Sequence, residues 1–151
     1  MFDVVLWCPE IPPNTGNLMR LTVNAGCRLH LIEPLGFDID DARLKRAGLD
    51  YREFADVTTH PSFESFVTSM NRGRIIAFSQ RASTLYTDIA YRAGDVLLFG
   101  RESDGLPDEI LESEVVAETA RIPIGPVGRS LNLANAAAIG IYEAWRQNGF
   151  S

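Results

Sequence analysis

Short apolar runs alternate with amphipathic stretches along this chain. Phe2–Trp7, Arg28–Glu33, Arg74–Phe78, Asp95–Phe99 and Ala120–Ile122 have the length and the branched or aromatic content of strands. Thr15–Ala25, Asp40–Ala47 and Ser62–Met70 instead repeat their apolar positions at helical spacing, and a short turn falls near Pro107–Leu111. The longest pattern runs from about Leu131 to Gln147 and is apolar or small-sided on nearly every face, with Gly149 as its stop signal. No repeat, low-complexity tract or linker interrupts the series, so residues 1–151 read as one domain. Strands alternating with helices predict an α/β fold, a mainly parallel sheet with helices on both faces. Ligands bind such sheets beyond the carboxyl ends of the strands. The ends at Phe78-Ser79, Phe99-Gly100 and Ile122-Pro123 should therefore approach one another.

Composition narrows the setting. At 151 residues and 46% hydrophobic content, the chain suffices for one sizeable core. No apolar run reaches the roughly 18 residues of a membrane span, and FDVVLW follows Met1 without the basic region of a signal peptide. A cytoplasmic protein is expected. Cys8 and Cys27 belong to no C-x-x-C pair and read as buried thiols. His30 and His60 have no Cys or His at ligand spacing, so no metal is expected.

The net charge of −6 argues against sequence-independent nucleic-acid binding. Its distribution softens that conclusion. Asp108, Glu109, Glu112, Glu114 and Glu118 gather negative charge in one stretch, while Arg43, Lys45, Arg46 and Arg52 form a basic cluster. Lys45 is the only lysine. Arginine's planar donor fork suits phosphate, although a biased genome would produce the same excess.

No GxGxxG follows the first strand and no GxxxxGK[ST] occurs, which disfavours the ordinary dinucleotide and P-loop folds. Three other segments stand out. In NTGNLMR, Asn14 can cap the following helix or reach a ligand, and Asn17 and Arg20 share a helix face. In FGRESDGLP, Gly100 and Gly105 permit close backbone approach, and Glu102 can orient backbone N–H groups, bind a cation or simply face solvent. In IPIGPVGRSLNLAN, a glycine-rich loop feeds the long helix, with Arg129, Ser130, Asn132 and Asn135 at the junction. Ser130 reads as its cap, and Asn132 adds an amide in the first turn. Ala134, Ala137, Ala138 and Ile141 make a small-sided face, followed by Tyr142 and Trp145. That face suits either core packing or a subunit contact.

In this order, the three segments resemble the three motifs of the SPOUT class of RNA methyltransferases, in its ribose 2′-O-methylating branch. The likeness spans Phe2 to Gln147 and is nearest to the minimal TrmL (YibK) group, which has no added RNA-binding domain. It implies a C-terminal part threaded as a deep trefoil knot, an exception to the general absence of knots. It also implies S-adenosylmethionine as cofactor, contacted at Phe78, Gly100, Ile122 and Ser130. Phe78 stands where relatives are expected to carry an aliphatic residue, a change tolerable if the contact there is through the main chain.

The expected reaction is methylation of the wobble ribose, cytidine or uridine 34, of leucine tRNAs. Arg20 would act near the 2′-hydroxyl, Asn14 and Glu102 would support the site, and Ser130 and Asn132 would hold cofactor and ribose. The resemblance implies a homodimer, with Arg20 supplied by the partner subunit and the 131–147 helix, including Tyr142, as a contact. Arg43, Lys45 and Arg46, with Arg72 and Arg74, are then candidates for tRNA phosphates. The alternatives are the same chemistry on ribosomal RNA or another tRNA position, or a non-catalytic RNA- or cofactor-binding module. The presence of Arg20 and Glu102 favours an enzyme.

Overall fold

The computed structural model describes residues 1–48, 53, 55–71 and 73–151. Six parallel strands, β1 (Asp3–Trp7), β2 (Arg28–Ile32), β3 (Val57–His60), β4 (Ile75–Phe78), β5 (Val96–Phe99) and β6 (Val116–Ala120), lie in the order β3-β2-β1-β5-β4-β6. Among the described residues, α-helices accompany them at α1 (Pro12–Ala25), α2 (Ala42–Gly48), α3 (Phe63–Ser69), α4 (Asp108–Leu111) and α5 (Leu133–Gln147). The expected parallel α/β sheet is observed. Both IIAF of β4 and VLLF of β5 are buried throughout, as strands covered on two faces must be. Alternate residues feed opposite cores. Val4, Leu6, Ile76, Phe78, Leu97 and Phe99 meet Leu18 and Met19 of α1 and Ala137 and Ile141 of α5. Val5, Ala77, Val96 and Leu98 meet Phe63 and Phe66 of α3 and Ile110 of α4. Among the described residues, no helix is long and apolar enough to cross a membrane.

Several boundaries differ from the sequence reading. Strand β3, VTTH, was not expected, because an edge strand so polar lacks an apolar run. Strand β6 occupies Val116–Ala120 rather than 120–122, leaving Ile122 past its end, after a bridge between Leu85 and Arg121. Helix α1 starts at Pro12, where two prolines with no N–H fit the first helical positions; Asn14 lies inside the helix and is not its cap. Helix α5 starts at Leu133, capped by Asn132 rather than Ser130: the Asn132 side chain accepts from Ala134 N and Asn135 N.

The small-sided stripe of α5 serves this chain's own core. Leu133, Ala134, Ala137, Gly140, Ile141 and Ala144 face inward, whereas Tyr142 on another side is 43% exposed. A Cβ at Gly140 would lie 2.9 Å from Phe78 Cζ, and the Phe78 ring stacks on Phe99 with centroids 4.5 Å apart. The phenylalanine at 78 and the glycine at 140 thus fill one space together. Gly140→Val is expected to cost about 1–3 kcal/mol by overpacking. Combining it with Phe78→Leu should recover much of that loss, a non-additivity measurable by denaturant titration of the four variants.

His30 and His60 are far apart in sequence but not in space. The register sets Ile32 opposite His60, so His60 lies diagonal to His30 across the β2–β3 pair. His30 Nε2 is 3.2 Å from Asp3 Oδ1, and His30 Nδ1 is 3.0 Å from His60 Nε2. Arg28 holds the same Asp3 through Nε and Nη2. With His30 Nε2 donating to Asp3, its Nδ1 faces His60 Nε2, and a proton added to His60 would meet the neighbouring ring. Burial, then the charge of His30, lowers the His60 pKa below its ordinary 6.5. Burial opposes ionisation of Asp3, but hydrogen bonds from His30 and Arg28 outweigh it and lower its pKa. A depressed histidine contributes stability that is complete above about pH 6.5 and fades as pH falls. Chemical denaturation between pH 8 and 5 should show that fall, and a His60→Gln variant should show a shallower one. Among the described residues, no group of three His, Cys, Asp or Glu side chains is placed to hold a metal ion. Cys8 and Cys27 are free and buried.

Candidate active site

Three loops at the carboxyl ends of the strands enclose a cavity of about 680 Å³. Its lining includes Phe78, Ser79, Phe99, Gly100, Ile122 and Leu131, so the ends of β4 and β5 converge as expected, joined by Ile122 from the segment after β6. Gly100 is required where the chain doubles back: a Cβ there would lie 2.2 Å from the carbonyl carbon of Gly105. Arg101 and Gly105 bridge antiparallel, and Gly105 takes φ 72°.

That tight turn presents Glu102 to the start of α1. Its Oε2 accepts from Glu10 N at 2.8 Å, and its Oε1 accepts from Ile11 N at 3.0 Å and Asn14 Nδ2 at 3.1 Å. A carboxylate here also complements the positive end of the helix. Asn14 is buried, and its Oδ1 accepts from Asn132 Nδ2 at 2.9 Å. Asn132 Oδ1 in turn caps α5, accepting from Ala134 N at 2.9 Å. The cap fixes which end of the Asn132 amide points at Asn14. The same logic turns Asn14's amide so that its NH₂ meets Glu102. One relay, Glu102–Asn14–Asn132–α5, therefore joins segments far apart in sequence. Its acceptor and donor ends are consistent throughout.

The sequence reading missed three participants, Glu10, Arg81 and Gln80. Glu10 returns the clasp, accepting from Ser103 N at 3.0 Å and Ser103 Oγ at 2.9 Å. Arg81 ties the loop after β4 to the loop after β5, donating to Leu106 O at 2.7 Å and pairing with Asp108. Gln80 Nε2 donates to Ile122 O at 3.0 Å, joining the third loop.

Of the residues singled out from sequence, Asn14, Glu102, Ser130, Asn132, Phe78, Gly100 and Ile122 all line the cavity. Because the Phe78 ring is engaged with Phe99 and Gly140, its main chain is what it can offer a ligand. Arg20 is not among the lining residues. It is exposed on α1, six residues beyond Asn14, or about 9 Å along the axis. Of the basic residues, Arg43 pairs with Asp41 and Lys45 with Asp40, both at the surface. Arg74 does not belong with them: it is held by Asp95 at 2.8 Å and Glu118 at 2.8 Å, as an internal structural ion pair. Arg52 and Arg72 lie outside the described residues.

The cavity suits S-adenosylmethionine in its chemistry. Phe99, Leu106, Ile122, Leu131 and Leu133 offer apolar walls for a purine, the three loops offer main-chain polar groups, and the Arg129 side chain is exposed at the mouth. The inward carboxylate, Glu102, is satisfied by its three donors.

A parallel α/β sheet with this three-loop cavity is the architecture of the SpoU-type methyltransferases. The chain belongs to the SpoU rRNA Methylase family, whose pattern it matches over residues 1–142. It is 54% identical over 151 residues to the tRNA (cytidine(34)-2′-O)-methyltransferase of Aeromonas hydrophila, covering 100% of this chain and 97% of that protein. The protein of the same name from Escherichia coli K12 is 48% identical over 150 residues, covering 99% and 96%. A solved structure concerned with the 2-OH methylation of C/U34 on tRNA superposes with a TM-score of 0.94 at 45% identity, covering 100% of this chain and 98% of that one. An AdoMet-bound rRNA methyltransferase from Sinorhizobium meliloti superposes with a TM-score of 0.87 at 28% identity, covering 96% of this chain and 56% of that chain.

Proposed function

We propose that this protein transfers a methyl group from S-adenosylmethionine to the 2′-hydroxyl of the wobble nucleotide, cytidine or uridine 34, of leucine tRNAs. The observation that carries the reading is the Glu102–Asn14–Asn132 relay at the mouth of the three-loop cavity. It stands beside full-length relatives named for that reaction. Bound between the loops, with Phe78, Gly100, Ile122 and Ser130 as its contacts, the cofactor supplies an electrophilic methyl group on sulfur. The rest falls to the chain. A ribose hydroxyl is a poor nucleophile at neutral pH, so alignment and proton removal decide the rate. Ser130 and Asn132, both in the cavity lining, hold cofactor and ribose, and the relay keeps Asn132 from turning.

Arg20 belongs near the 2′-hydroxyl, supplied by the partner subunit of a homodimer. Its exposed place outside its own chain's cavity fits that arrangement. A guanidinium with pKa above about 12 is a poor base, so Arg20 acts first by anchoring the adjacent phosphate and aligning the hydroxyl. The exposed Tyr142 of α5 supplies an apolar contact for the dimer, and Arg43, Lys45 and Arg46 supply cations toward the tRNA backbone. The knotted threading of the C-terminal part and a cytoplasmic location belong to the same reading. The test is to incubate the protein with bulk unmodified tRNA and labelled S-adenosylmethionine and identify the product by mass spectrometry. Label in 2′-O-methylcytidine or 2′-O-methyluridine at position 34 is expected. Label on a base, or no label, would refute the reading.

A further inference from the structure

Three guanidinium groups line the cavity, and two are already neutralised. Arg81 pairs with Asp108, and Arg101 pairs with Asp104 while lying 4.9 Å from the centroid of the Trp7 ring. Arg129 differs. It lines the same cavity and is exposed, and no hydrogen bond or ion pair holds its side chain among the described residues. Its own loop, RIPIGPVGRSLN, contains no carboxylate. The acids of the opposing clasp are taken: Glu102 by Glu10 N, Ile11 N and Asn14, and Glu10 by Ser103. Of the three guanidinium groups in the lining, Arg129 alone has no carboxylate paired with it among the described residues, which leaves its donor fork open to an anionic ligand.

Arg129 is also placed with some definition. A turn closed by Gly128 N donating to Gly125 O at 3.0 Å precedes it, and the α5 cap at Asn132 follows three residues later. At about 3.3–3.6 Å per residue, its Cα lies within roughly 11 Å of the Asn132 Cα. We propose that Arg129 binds a backbone phosphate flanking the target ribose and so holds the RNA strand over the cavity. The inference rests on the function proposed above. Exposure decides the source of the anion. Arg129 is exposed to solvent as well as lining the cavity, which leaves it open to a strand approaching from outside. Arginine's fork pairs with two phosphate oxygens at once, which a lysine cannot copy.

The experiment compares wild type, Arg129→Gln and Arg129→Lys with full-length tRNA. Binding of tRNA is measured at several salt concentrations, binding of S-adenosylmethionine by calorimetry, and methyl transfer by steady-state kinetics. The glutamine variant should raise KM for tRNA about 10-fold or more, with the loss larger in KM than in kcat. It should lower the slope of log affinity against log salt by about 1. Cofactor affinity should hold, and the lysine variant should restore the salt slope but only part of the KM. Unchanged tRNA affinity and salt slope would overturn the proposal. So would weakened cofactor binding with intact tRNA binding, which would assign the guanidinium to the cofactor's carboxylate. A wild-type protein that binds tRNA through Arg129 but methylates no ribose would refute the functional reading and leave this one standing.

Discussion

Glu102→Ala is expected to lower kcat/KM for methyl transfer by at least about 100-fold while the protein still folds. The carboxylate is the common acceptor for Glu10 N, Ile11 N and Asn14 Nδ2, at 2.8, 3.0 and 3.1 Å. Its removal strands two main-chain donors just ahead of a helix whose first two residues are prolines. A hydrogen bond to a charged group contributes about 1.5–3 kcal/mol. The site is only partly buried and water can replace part of the loss, so a destabilisation of about 2 kcal/mol is the expected scale. The functional loss is larger because it propagates. Without Glu102, the Asn14 amide is held only through its Oδ1 by Asn132, and its NH₂ end and the start of α1 lose their common anchor. Misplacing a positioning group by about 1 Å can cost about 100-fold in rate. Glu102→Gln is informative beside it: its NH₂ end must face at least one of the three donors, so it should rescue little. Steady-state kinetics with urea titration of both variants checks the claim. Near-normal turnover in Glu102→Ala would contradict it.

Gly100→Ala should be the most damaging single-methyl addition in the site. The added carbon would stand 2.2 Å from Gly105 C, 2.3 Å from Leu106 N and 2.6 Å from Gly105 Cα. All three are backbone atoms, so no side chain can turn away to make room. The loop would have to open, breaking the Arg101–Gly105 bridge and carrying Glu102 off the start of α1. Overpacking of this kind costs about 3 kcal/mol at the upper end of the usual range, and cofactor affinity should fall at least 10-fold. Gly105→Ala is the control. Its Cβ would meet nothing within 4 Å, but its φ of 72° disfavours any side chain, so it should cost only about 1 kcal/mol. Thermal unfolding with calorimetric binding separates the two. Equal effects would mean that loop rigidity, and not the close approach, matters.

These residues also mark what the sequence reveals and what it hides. Strands β4 and β5 were legible because a strand buried on both faces must be apolar at every position. Strands β3 and β6, at the sheet edges, carry VTTH and VAETA, and nothing in those strings outweighs a loop reading. The site residues were legible by type: an Asn ahead of a helical run, a Glu between two glycines, Ser and Asn at a helix entrance. Their connections were not. Asn14 meets Glu102 across 88 positions and Asn132 across 118, and only the strand order brings those loops together. The same gap hid the His30–His60 contact, which depends on the β2–β3 register. Glu10 was missed although a signal was there, since it lies just past the carboxyl end of the strand β1 and four residues before Asn14. The small residues of α5 were legible as a face, but the resemblance directed that face to a second subunit, whereas Ala137, Gly140 and Ile141 are buried against the chain's own sheet.

In the proposed function one ribose hydroxyl, at position 34, receives the methyl group. Two full-length leucine tRNAs, alike except that one carries deoxyribose at nucleotide 34, give the direct measurement with labelled S-adenosylmethionine. One methyl group per ribose-containing tRNA and none on its deoxy counterpart is expected, with both binding the protein comparably. Equal methylation of the two would contradict it.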